Sequence, residues 1–169
     1  MVYLHGLSVV HRDIKPSNVF CERAEDCSVK VVLADFGLAA HIMDKESMSS
    51  RCGTGGFVAP EMFGPDWDRH LEEEPVANVT KIDVFSFGMM VYATVFGENP
   101  LIDTTVNSTY ARNAHCLLPL LNMGGRSDDL QYALHGLCAK SPRERYSSSE
   151  ALADLWFSSS AKVPWAAFE

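Results

Sequence analysis

The sequence is short of basic residues: 14 Lys and Arg stand against 22 Asp and Glu, for a formal net charge of −8 at pH 7. Nucleic acid and anionic membrane surfaces reward clustered Lys and Arg, and no basic run occurs, so neither is expected as a partner. Cysteine is sparse and odd in number. Cys21, Cys27, Cys52, Cys116 and Cys138 sit at spacings that match no zinc or redox motif, which fits a reduced, intracellular and cytoplasmic setting. The first residues, Met1-Val2-Tyr3-Leu4-His5-Gly6, lack both a basic region and a long apolar stretch, so no secretory signal is read there. The most apolar stretch, Ile82 to Phe96, is interrupted by Asp83 and Ser86 and is read as too short for a bilayer, so no membrane insertion is expected. Repeats and low-complexity segments are absent as well.

What remains suffices for one domain with a core: 169 residues, 47% of them hydrophobic. Residues 1–10 read as the last turn of a helix, a turn at Gly6 and an extended Val9-Val10. Val19-Phe20-Cys21 and Val29 to Leu33 are β-rich runs that predict a hairpin around the polar stretch Glu22 to Ser28. Periodicity fails from Leu38 to Thr54, where Ser47, Ser49, Ser50 and Gly53-Thr54-Gly55-Gly56 predict a mobile loop, and a second polar loop is expected from Gly64 to Asn78. Thr80 and Asp83 have the spacing of a capping box opening the longest helix, which is apolar nearly all round to Phe96 and therefore belongs in the core. Gly97 and Pro100 close it. Shorter helices are expected over Ala111–Leu121, Leu130–Lys140 and Ser148–Phe157, the last with Ser147 and Glu150 as a capping box, before a frayed tail from Ser158.

Chemistry concentrates in His11-Arg12-Asp13-Ile14-Lys15-Pro16-Ser17-Asn18. Asp13 can accept a hydroxyl proton, Lys15 can neutralise a phosphoryl oxygen, and Asn18 can offer a carbonyl oxygen to a hard cation. The plainer interpretation is a polar turn with Pro16 as its corner. Asp35-Phe36-Gly37 follows a predicted strand, which would project a second carboxylate beside a residue that lets the chain turn sharply. Four signatures occur in register: His11 to Asn18, Asp35 to Gly37, Gly53-Thr54 through Ala59-Pro60-Glu61, and Asp83-Val84-Phe85-Ser86-Phe87-Gly88.

In that order and spacing the chain resembles the C-terminal lobe of eukaryotic protein kinases, with Lys two places after Asp as in the serine/threonine branch. The resemblance covers residues 1–157 and leaves 158–169 as a C-terminal tail. It implies a mainly α fold with a small β-hairpin, and transfer of a phosphoryl group from ATP to protein Ser/Thr hydroxyls with Mg²⁺ as cofactor. Asp13 and Lys15 would be catalytic, Lys15, Asn18 and Asp35 would bind nucleotide, and Asn18 and Asp35 would hold the metal. Arg12, Ser47, Ser49, Ser50 and Thr54 would belong to the activation segment and the substrate wall, with Arg12 receiving a phosphate placed by an upstream kinase. His11, Phe36, Gly37, Glu61, Asp83 and Arg145 would be structural. Arg145 would pair with Glu61, with Arg143 an equally placed competitor, and Asp83 would accept backbone N–H bonds from the loop 11–18.

Departures accompany the matches. Phe85 stands where the family often has tryptophan, Phe57 where tyrosine or tryptophan is usual, and Tyr146 follows Arg145 where proline is common. The glycine-rich loop, the strand lysine and its helical glutamate partner do not occur in these 169 residues. The N-terminal lobe is therefore read as absent, the chain alone is expected to be inactive, and exposed apolar surface is expected to promote association. The rival reading is a non-catalytic, pseudokinase-like interaction module that keeps the lobe's protein-binding surface.

Overall fold

The computed structural model describes residues 1–23, 29–97, 99, 101 and 127–160. The chain opens with a short helix α1 (Val2–Gly6) and a two-residue strand β1 (Val9–Val10). A 3-10 turn at Pro16–Asn18 leads into β2 (Val19–Arg23), which pairs antiparallel with β3 (Val29–Leu33) from Val19↔Leu33 to Arg23↔Val29. That is the expected hairpin. Side chains alternate across a strand, so Val19, Val31 and Leu33 line an apolar hollow with Ile14, Phe87 and Met90 while Phe20 and Val32 face outward.

Two expected loops are structured. Within 38–54, β4 (Ala40–His41) pairs antiparallel with β1, and α2 (Lys45–Ser49) is capped by Asp44, whose carboxylate accepts the Ser47 N–H. Neither element is long enough to show a period, which is why the sequence pattern concealed them. Within 64–78, α3 (Trp67–Glu73) and α4 (Val76–Val79) replace the expected coil. Trp67, completely buried, anchors α3 in the core together with the partly buried Leu71 one turn on, a pair too short for the sequence pattern to reveal among charged neighbours.

α4 runs through Thr80, at φ −62° and ψ −21°, into α5 (Lys81–Phe96). The capping-box expectation fails here. Thr80 is itself helical, its hydroxyl donates back to the Ala77 carbonyl at 3.0 Å, and Asp83 is engaged elsewhere. The continuous helix Val76–Phe96 has 21 residues, longer than read from the sequence and apolar enough to cross a membrane, but 67% of its most apolar window is buried against the chain, as in a core helix. Val84, Phe85 and Met89 are at the centre of the core, and Gly97 closes the helix at φ 74°.

α6 (Asp128–Leu137), capped by Ser127, packs Leu130, Leu134 and Leu137 inward as their spacing predicts. It crosses α5 closely at Gly88, where a Cβ would lie 2.5 Å from Cys138 Sγ and 2.7 Å from Leu137 Cβ. α7 (Ser148–Ala153) has the expected capping box of Ser147 and Glu150, but the chain breaks at extended Asp154 before α8 (Leu155–Ser160), so one expected helix is two. Pro100, the expected helix 111–121 and residues 161–169 lie outside the described residues.

Candidate active site

One buried carboxylate governs the loop 11–18. Asp83, in the first turn of α5, accepts the backbone N–H of His11 at 2.7 Å and of Arg12 at 2.9 Å, and His5 Nε2 lies 3.1 Å from its Oδ2. Arg12 has φ 66°, a left-handed conformation that costs a residue with a side chain about 1–2 kcal/mol. The charge-assisted hydrogen bonds to Asp83 offset that strain. Asp83 thus anchors the loop, as the resemblance implied, and does not cap its own helix.

His11 is fully buried and couples the loop to the next turn. Its Nδ1 accepts the Asp13 N–H at 3.3 Å, which leaves Nε2 as the protonated nitrogen donating to the Ala34 carbonyl at 3.0 Å. The ring meets Phe36 edge-on, 4.9 Å between centroids.

Asp13, Lys15 and Thr54 converge. Thr54 Oγ1 donates to Asp13 Oδ1 at 2.7 Å, and Lys15 Nζ lies 2.7 Å from Asp13 Oδ2 and 2.7 Å from Thr54 Oγ1. Asn18 Nδ2 donates to Asp13 Oδ2 at 3.0 Å and to the Asp13 carbonyl at 2.9 Å. Burial by itself would raise the Asp13 pKa. Hydrogen bonds from Lys15, Thr54 and Asn18, with the ammonium charge, outweigh it and hold the carboxyl below its ordinary value. The side chain is therefore an ionised acceptor at neutral pH. Gly53, at φ 109°, passes so near the Arg12 carbonyl that a Cβ would lie 2.7 Å from its oxygen, which is how the chain brings Thr54 this close.

Asn18 immediately precedes β2 and Asp35 follows β3 by two residues, so the pairing of the two strands brings them to the same end of the hairpin, where the Ala34 N–H donates to the Asn18 carbonyl at 2.9 Å. Because Asn18 Nδ2 is directed at Asp13, its amide oxygen is the group it can present to a cation. Asp35 is exposed in a left-handed conformation, φ 61° and ψ 73°, with one oxygen accepting the Gly37 N–H at 3.3 Å. An amide oxygen and a carboxylate are hard donors of the kind Mg²⁺ takes alongside phosphate oxygens, and no group of three or more His, Cys, Asp or Glu able to hold a metal by themselves occurs among the described residues. The donor set fits Mg²⁺ held partly by nucleotide.

Arg12 points into the segment 38–54. Its Nε donates to the Leu38 carbonyl at 2.6 Å and its Nη1 to the Ser47 carbonyl, so the guanidinium is engaged within the chain. Ser47 Oγ donates to Asp44 Oδ2 at 2.6 Å, whereas Ser49 and Ser50 are exposed. Cys52, near Arg12 and Asp13, has its thiol pKa pushed up by burial, which disfavours the reactive thiolate. Further along, Glu61 pairs with Arg145 at 2.6 Å while Arg143 pairs with Glu74 at 2.7 Å, which separates the two candidates.

Two residues escaped the sequence reading. His5 left no signal, because its contact with Asp83 spans 78 residues. Trp67, whose indole Nε1 donates to the Met48 carbonyl at 2.9 Å, had one: a lone tryptophan amid acidic residues has little reason to be there unless it is buried.

A profile of the protein kinase domain matches residues 1–157. The probable serine/threonine-protein kinase 2 of Plasmodium falciparum (isolate K1 / Thailand) is 31% identical over 157 residues, 91% of this chain and 28% of its own length. Serine/threonine-protein kinase Sgk2 of Rattus norvegicus is 34% identical over 154 residues, 90% of this chain and 38% of its own length. Calcium/calmodulin-dependent protein kinase type 1B of Rattus norvegicus is 29% identical over 163 residues, 95% of this chain and 44% of its own length. The chain spans less than half the length of each of these relatives.

Proposed function

The chain belongs to the protein kinase family, and from that premise we propose that it supplies the C-terminal lobe of a serine/threonine kinase that, when complete, phosphorylates protein hydroxyls with ATP. The observation that carries this reading is the convergence of Asp13, Lys15 and Thr54 within 2.7 Å of one another.

Asp13 orients the acceptor hydroxyl and receives its proton as the hydroxyl oxygen forms a bond to the terminal phosphorus and the bond to the ADP oxygen breaks. Its lowered pKa makes it a weak base, which suits a proton transfer that follows bond formation at phosphorus. Lys15 neutralises charge on the transferred group, and Thr54 fixes both side chains and walls the acceptor site. Asn18 and Asp35 would hold Mg²⁺, which would supply positive charge against the phosphate oxygens. Glu61, Asp83, Arg145, His11, Phe36 and Gly37 are scaffold. Protein substrates are the partners, and an upstream kinase would find Ser49 and Ser50 exposed. Exposed Phe20, Val31 and Val32 support association through apolar surface. Cys21 and Cys52, neither of them in a disulfide, support an intracellular, cytoplasmic setting.

In the intact protein, Asp13→Asn and Asp35→Asn each lower turnover by several orders of magnitude while the protein stays folded at neutral pH. Full phosphotransfer in either variant would overturn the assignment of that residue. Wild-type protein that binds protein partners without any turnover would establish the interaction module instead.

A further inference from the structure

α2 is only five residues long, so its last carbonyls have few local partners: that of Ser47 accepts the Ser50 N–H at 3.3 Å, and both it and that of Met48 draw on donors from elsewhere. Two successive ones are supplied from distant parts of the chain. The Arg12 guanidinium donates to the Ser47 carbonyl, with its other arm on Leu38 at 2.6 Å, and the Trp67 indole donates to the Met48 carbonyl at 2.9 Å. A cation at a helix C-terminus is also the favourable sign for the backbone dipole.

The Trp67 contact is the more protected of the two. Trp67 and Met48 are both fully buried and share the main hydrophobic core with Met62, Val79 and Phe85, so the donor belongs to the rigid body of the fold. Polar contacts at the surface reinforce it: Arg51 Nη2 donates to the Gly64 carbonyl at 3.3 Å, and Lys45 lies 4.0 Å from Glu72. From Met48 the chain runs six residues to Thr54, pinned on the way where Gly53 meets the Arg12 carbonyl. What fixes the Met48 carbonyl therefore limits where the Thr54 hydroxyl can lie relative to Asp13 and Lys15.

We propose that Trp67 is a positioning residue: through its indole N–H on the Met48 carbonyl it acts with Arg12 to hold the segment 44–54 in place, and so keeps Thr54 on Asp13 without a phosphate on Ser47, Ser49 or Ser50. The importance of Thr54 rests on the phosphotransfer reading above. The restraint itself does not.

The experiment is hydrogen–deuterium exchange on the unphosphorylated protein with Trp67 replaced by β-(3-benzothienyl)alanine, which keeps the bicyclic shape and lacks the N–H; Trp67→Phe is the encoded counterpart. Loss of one neutral hydrogen bond should speed exchange of the amides of residues 44–54 about five- to tenfold. Exchange in α5 and in the β2–β3 hairpin should not change. The double variant Ser49→Ala, Ser50→Ala, which leaves the Ser47–Asp44 hydrogen bond in place, should retain wild-type protection of 44–54. In the intact protein the thienyl variant should lower kcat for a peptide substrate with its melting temperature preserved.

Unchanged exchange at 44–54 would overturn the proposal, as would an increase shared equally by α5 or wild-type protection that emerges only after phosphorylation. Wild-type kcat in a thienyl variant whose exchange at 44–54 has risen would also overturn the link to Thr54. Failure of the phosphotransfer reading appears separately, as full turnover in Asp13→Asn with the exchange pattern intact.

Discussion

Arg145 and Glu61, 84 residues apart, form a two-pronged pair: Nη1 to Oε1 at 2.6 Å and Nη2 to Oε2 at 2.9 Å. The guanidinium is 1% exposed and also donates to the carbonyls of Ala139, Lys81 and Lys140, with its carbon 5.0 Å from the centroid of the Phe85 ring. Its planar fork thus ties the end of the segment 38–63, the start of α5 and the turn after α6 together at one point. Lysine has neither the second prong nor the flat face for Phe85.

Removing Arg145 therefore leaves Glu61 half-enclosed without its partner and three carbonyls short of a donor. Arg145→Ala should destabilise the protein by about 3–5 kcal/mol, the usual cost of breaking a buried ion pair from one side. Arg145→Lys should recover less than half of the loss. Arg143, which holds Glu74 at the surface, should be replaceable by Ala without a measurable shift in the urea midpoint. Equal midpoint shifts for Arg145→Ala and Arg143→Ala would show that the buried pair is not the anchor.

Where a short motif carries its own chemistry, the sequence was sufficient. Asp13, Lys15, Thr54, Asn18 and Glu61–Arg145 meet as the resemblance implied, and Ser147–Glu150 caps its helix as local spacing alone predicts. What failed depended on packing across the chain. The Thr80-x-x-Asp83 spacing is that of a capping box, but two backbone N–H groups 71 and 72 residues away claim the carboxylate. Burial of Trp67, invisible to any period, turned an apparent loop into α3. Tyr146, a departure from the family pattern, has a place built for it. Its N–H donates to the Gly136 carbonyl at 2.9 Å, and its ring occupies space into which any Cβ on Gly136 would intrude, 2.2 Å from the ring.

His70 makes the α3 region sensitive to acid. Its ring stacks on Trp67, 5.6 Å between centroids, and its Nε2 is buried without a hydrogen-bond partner among the described residues. Burial lowers its pKa; Glu61 and Glu74 oppose that, and Arg145 and Arg143 add to it. Asp66 and Lys140 also line the hollow beside it. A histidine whose folded pKa is depressed contributes stability above its unfolded value, and that contribution declines as pH falls through 6.5 towards the folded value. Wild-type protein should lose stability across this window more steeply than His70→Gln, as read from urea midpoints at pH 7.5 and 5.5. Parallel declines in the two proteins would show that His70 is not the group responsible.

Asp13 gives a second acid test, at lower pH and on the site itself. Its folded pKa lies below the ordinary aspartate value, because Lys15, Thr54 and Asn18 together outweigh burial. The sign follows from linkage: the stabilisation is complete above the unfolded pKa and is lost as pH falls through the folded value, where the carboxylate must take up a proton. Asp13→Asn removes the charge, so Lys15 and Thr54 lose their ionic acceptor at every pH. The stability gap between wild type and Asp13→Asn should therefore be widest near neutrality and shrink progressively below about pH 4, the ordinary aspartate range. Denaturant midpoints of the two proteins across pH 7 to 2.5 measure that gap directly. A gap that stays constant on acidification would mean that the Asp13 charge does not hold the cluster, and the assignment of Asp13 as the ionised acceptor would fall with it.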